Sequence, residues 1–80
     1  MRVTKDMFLS VIKDISIMMG EQLYLVPVYD ILYVTPVNDG VRCQSNYYYC
    51  FSNKISNANY EKLVAFKVGV GIALRRMQNR

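Results

Sequence analysis

Eighty residues are too few to enclose two separate cores, so a single domain over residues 1–80 is expected. Half of the chain is hydrophobic (52%), yet it has no histidine and no tryptophan; Ser-His and Cys-His nucleophilic pairs are excluded, and a side-chain zinc site loses its usual ligands. The net charge of +4 is uneven: residues 1–40 hold three basic side chains against five acids, and residues 41–80 hold seven against one.

Thr4, followed by Lys5-Asp6, reads as a helix start, with a hydroxyl cap and a carboxylate in the first turn. Phe8, Val11, Ile12, Ile15, Met18 and Met19 then recur at helical spacing, and Gly20 stands where a helix ends; the first helix is predicted over residues 4–19. Residues 23–29 and 31–37 are rich in β-branched and aromatic side chains and read as strands, with Pro27 and Pro36 at an edge or a strand end. Asn38-Asp39-Gly40 is a hairpin signal, which predicts a third strand returning from Val41 and carrying the run Asn46-Tyr47-Tyr48-Tyr49-Cys50-Phe51. After a polar connector, Ser56 or Asn57 caps a second helix with Glu61 in its first turn, running to about Gln78 and ending among Arg75, Arg76 and Arg80. The expected fold is α+β, helix-strand-strand-strand-helix, with a three-stranded antiparallel sheet and both helices on one face.

The second helix has two apolar stripes. Leu63, Phe66, Val70, Leu74 and Met77 are assigned to the sheet, and Val64, Val68 and Ile72 form another on a largely different face. Ala65, Gly69 and Ala73 recur every four residues, a groove for either the first helix or a second copy in a homodimer. On the third strand, Tyr47, Tyr49 and Phe51 are expected to share one face, left open if both helices cover the other. With Arg42 and Lys54 nearby, they are the candidate partner-binding residues.

Cys43 and Cys50 would lie about 23 Å apart on one extended strand. Reduced thiols are expected, with a disulfide across a turn at Gln44-Ser45-Asn46 as the alternative. The N-terminus has a basic-then-apolar order, but Asp6, Lys13 and Asp14 interrupt it, so no secretion signal is expected. The apolar segment Leu63 to Leu74 contains Lys67 and is too short to span a bilayer, and cytoplasmic localisation is expected.

The six acids are dispersed, and the glycines around Gly69 and Gly71 lie late in a helix rather than at its start. Neither a catalytic nor a phosphate-binding constellation forms, and no metal or cofactor is expected. The expected function is a small non-catalytic binding protein that contacts another protein or nucleoprotein complex. Its concrete form is a phage or mobile-element product for host takeover, an inhibitor of anti-CRISPR type. The element order is also similar to that of double-stranded RNA-binding domains. That resemblance implies a nucleic-acid-binding regulator using Lys62, Lys67, Arg75 and Arg76, although Ser56 to Lys62 offers one lysine and one glutamate where that family's second helix begins with several lysines.

Overall fold

The structure, a computed structural model, describes residues 2–79. In chain order it has α1 (Lys5–Met19), β1 (Tyr24–Val28), β2 (Ile31–Thr35), a 3-10 turn (Arg42–Ser45), β3 (Tyr49–Ser52) and α2 (Asn57–Gln78). The sheet is an antiparallel meander with β2 in the centre. This is the expected α-β-β-β-α domain. Arg80, one of the arginines placed at the end of the second helix, lies outside the described residues.

α1 is bounded as its sequence dictates. The Met7 N–H donates to Thr4 Oγ1 at 3.4 Å, and Gly20, at φ 65°, takes up the left-handed conformation that releases the chain from the helix. Phe8, Val11, Ile12 and Ile15 are buried, and Ser16 beside them makes the bend into β1. Its hydroxyl donates to the Ile12 carbonyl (2.8 Å) and accepts the Leu23 N–H (3.0 Å). The β1–β2 hairpin closes with two residues, Tyr29-Asp30, between paired Val28 and Ile31. Tyr29 has φ 52°, uncommon without glycine, and its carbonyl accepts from Asn53 Nδ2 at 3.1 Å.

The strands alternate between two faces. Leu25, Leu32, Val34, Tyr49 and Phe51 share the face toward the helices, because Leu25 pairs with Val34, Leu32 with Phe51, and Val34 with Tyr49. Pro27 sits on the edge strand β1, where a missing donor is tolerated. On the helix side, Phe8, Ile15, Leu23, Val34 and Leu63 are inaccessible or nearly so and belong to one cluster.

With three strands between them, α1 and α2 run in the same direction. Phe8 meets Tyr60 (ring centroids 5.9 Å), Asp14 pairs with Lys67 (2.9 Å), and Met18 lies against Gly71, a nearly constant offset along both helices. A Cβ on Gly71 would stand 3.3 Å from Met18 Cε, tight enough that the methionine tip would have to shift by a few tenths of an ångström. Of the two occupants expected for the small-residue groove, the first helix and a second copy, α1 lies elsewhere. Ala65, Gly69 and Ala73 are all exposed, and a Cβ on Gly69 would meet nothing within 4 Å. At about 1.5 Å per residue, α2 is also roughly 10 Å longer than α1, which leaves Met77 exposed rather than against the sheet.

α2 starts at Asn57, capped by Ser56 Oγ, which accepts the Asn59 N–H at 3.2 Å; Glu61 therefore falls in the second turn. Asn59 is buried, and its Nδ2 reaches the carbonyls of Ser52 (2.8 Å) and Lys54 (2.8 Å) and Ser52 Oγ (3.1 Å). One side chain thus joins the end of β3 to the first turn of α2.

Candidate protein-binding surface

The face of the sheet away from the helices carries Tyr24, Val26, Val28, Ile31, Tyr33, Thr35 and Cys50. It was expected to be open, but Val26 and Thr35 are buried. The cover comes from the connection between β2 and β3, residues 36–48. Asn38-Asp39-Gly40 does not make the predicted hairpin, because Gly40 lacks the positive φ that such a turn requires. Instead Asp39 Oδ1 accepts the N–H groups of Val41 (2.8 Å) and Arg42 (3.3 Å), and its carbonyl accepts from Cys43 (2.9 Å), which starts a helical turn. The third strand consequently begins at Tyr49 rather than near Val41.

Three residues, Thr35, Cys43 and Tyr48, fix this connection over the sheet. Thr35 Oγ1 donates to the Asn46 carbonyl at 2.6 Å and accepts the Val37 N–H at 3.0 Å. Cys43 is fully buried beneath the 3-10 turn. The Tyr48 N–H donates to the Val34 carbonyl at 2.9 Å, and its hydroxyl donates to Glu21 Oε1, which ties the connection to the α1–β1 bend. That hydrogen bond raises the Tyr48 pKa, with burial and the carboxylate's charge adding to it. Tyr33 is also raised, first by desolvation and then by neighbouring Cys50, Tyr47 and Cys43. Cys43 and Cys50 are both free thiols, without the alternative disulfide.

The outer side of this anchored connection presents Val41 (79% exposed), Arg42, Gln44, Tyr47 (45%) and Tyr48 (46%). Tyr47 is held edge-on against Tyr33, with centroids 4.9 Å apart and an angle of 67°. Aromatic rings already ordered by their own chain bind another surface at low entropic cost, and the same connection carries the exposed Arg42.

Of the residues predicted to bind a partner, the structure places Arg42 and Tyr47 on this connection and separates them from the rest. Tyr49 and Phe51 share a face as expected, but it is the core face: Tyr49 stacks on Phe66 (5.0 Å, 7°), and Phe51 is buried 6.1 Å from Phe8. Lys54 is exposed in the β3–α2 turn. Of the self-association residues, Val64 packs on the molecule's own core, while Val68 and Ile72 are exposed. Of the basic residues assigned to nucleic acid, Lys67 pairs with Asp14; Lys62, Arg75 and Arg76 are exposed, Lys62 and Arg76 on one side of α2 about 21 Å apart along its axis and Arg75 turned about 100° or more away from both. Val41 and Tyr48 were not identified, because reading the tripeptide as a hairpin put Tyr48 inside a strand.

Among the described residues, no three Cys, Asp or Glu side chains come together, and no helix is long and apolar enough to cross a membrane. No family model, curated protein or solved structure matches the chain.

The carboxylate of Asp39 makes this surface pH-sensitive. Its backbone hydrogen bonds from Val41 and Arg42 hold its pKa below the ordinary aspartate value. A depressed folded pKa means that the stabilisation is present above the unfolded value and lost as pH falls through the folded one. In an NMR titration, the Val41 and Arg42 amide signals are expected to move together on acidification, with a midpoint below that of an unstructured aspartate. Asp39→Asn should abolish the transition.

Proposed function

We propose that this protein is a non-catalytic protein-binding domain whose contact surface is the outer side of the β2–β3 connection, centred on Arg42, Tyr47 and Tyr48. The observation that carries this reading is the anchoring of two half-exposed tyrosines, one against Tyr33 and one on Glu21, in a connection that also leaves Val41 exposed. Apolar side chains left in solvent while their backbone is firmly held favour docking over a role in folding. The mode of action is occupancy: the domain covers part of a partner's surface, which is the means by which a small inhibitor of a larger complex works.

Arg42→Glu combined with Tyr47→Ala and Tyr48→Ala tests this reading. The variant is expected to keep the circular dichroism spectrum of the parent and to lose a protein that the parent retains in quantitative affinity capture from its native cells. Tyr29→Ser, at a 94% exposed position on the β1–β2 hairpin, should retain it. Equal recovery by parent and triple variant would overturn the assignment. So would recovery of nucleic acid alone, released by moderate salt, because phosphate-dominated binding weakens steeply with ionic strength.

A further inference from the structure

We infer that the outward face of α2 is a self-association surface on which a second copy of this chain docks antiparallel. It lies in the helix layer, away from the β2–β3 connection, so the two proposals stand or fall separately.

The exposed residues Ala58, Glu61, Ala65, Val68, Gly69 and Ile72 fall within an arc of about 100° on α2 at 100° per residue. Val68 is 56% exposed and Ile72 45%. Within this strip Gly69 stands out. A glycine inside a helix costs about 1 kcal/mol relative to alanine. Gly71 is accounted for by Met18, but a Cβ on Gly69 would meet open space. Nothing in the single chain requires a glycine there, whereas the close approach of another helix does.

Charge and size select the occupant and its direction. The strip is acidic toward its N-terminal end, at Glu61, and basic toward its C-terminal end, at Arg76, about 22 Å away at 1.5 Å per residue. An antiparallel second copy brings each Glu61 beside Arg76 of the partner subunit, twice by symmetry; a parallel copy sets like charges together. A two-fold axis between Val68 and Gly69 also places Ile72 over the partner subunit's Ala65 and Val68 over the partner subunit's Gly69, large against small. Lys62 lies at the edge of the strip, where its long side chain reaches solvent.

Sedimentation equilibrium of the full chain over a range of concentrations tests the proposal. The parent should follow a monomer–dimer equilibrium. Val68→Asp should be monomeric throughout with an unchanged circular dichroism spectrum, since a charge in the closed interface has no partner. Gly69→Leu should also be monomeric while its helix propensity improves, which separates loss of docking from loss of folding. Glu61→Arg and Arg76→Glu should each raise the dimer Kd about tenfold, and the double variant should restore it. A parent that is monomeric at every concentration, or a dimer indifferent to Val68→Asp, would overturn the proposal. Failure of the double reversal to restore the Kd would overturn the antiparallel arrangement.

Discussion

Phe8→Ala is expected to lose about 3–5 kcal/mol of stability, the range for truncating a fully buried aromatic side chain. Phe8 is 0% exposed, with its ring centroid 6.1 Å from Phe51 and 5.9 Å from Tyr60, so it joins α1 to both β3 and α2. Domains hold together by roughly 0.05–0.15 kcal/mol per residue, about 4–12 kcal/mol for a chain this size, so the loss is a large fraction of the total. The urea midpoint measures it: the variant should unfold at a much lower urea concentration than the parent, and a loss below about 1 kcal/mol would contradict the packing described.

Asn59→Asp is expected to cost about 3 kcal/mol near neutral pH, by a different route. The Nδ2 group that reaches the carbonyls of Ser52 and Lys54 is replaced by an oxygen that repels them, in a position 3% exposed. Burial and the facing carbonyls raise the new carboxyl's folded pKa above its unfolded value. The native state then binds the proton more tightly, so the variant regains stability as pH falls and loses it as pH rises through the folded pKa. Denaturant melts at about pH 7 and about pH 4.5 should differ in that direction relative to the parent. A pH-independent loss would show that the asparagine fills space without donating.

Both sites lie in parts of the fold whose elements are legible in sequence, for physical reasons that differ. The Thr4 cap, the period of Phe8 to Ile15 and the left-handed Gly20 are local signals that agree, so α1 is readable to its ends. Pro27 on an edge strand and the Leu63, Phe66 and Val70 stripe against the core follow from equally local rules. The buried role of Asn59 is not local: it depends on two carbonyls five and seven residues earlier being turned toward it.

Asn38-Asp39-Gly40 is compatible with two local structures. The tripeptide suits a tight hairpin, but the aspartate can equally accept two following N–H groups and begin a helical turn, and a buried seat for Cys43 favours the second outcome. That choice moves the start of β3, covers the outer face of the sheet and replaces an open tyrosine strand with an anchored loop. Tyr49 and Phe51 then serve the core, while Tyr47 and Tyr48 stay at the surface. On α2, the two stripes were visible from periodicity. Where α1 sits relative to them was not, because it depends on contacts distant in sequence: Phe8 with Tyr60, Asp14 with Lys67 and Met18 with Gly71.

The most direct test of the binding-surface assignment is site-specific photo-crosslinking in the native cells, with a photoreactive phenylalanine analogue placed singly at positions 17, 47 and 68. All three are exposed in the structure, so each probe leaves the core intact. Position 47 should yield a discrete adduct with a different protein, and position 17 none. Position 68 should yield an adduct of twice the monomer mass. A foreign protein captured only from position 17 or 68, or a nuclease-sensitive adduct at position 47, would contradict the account.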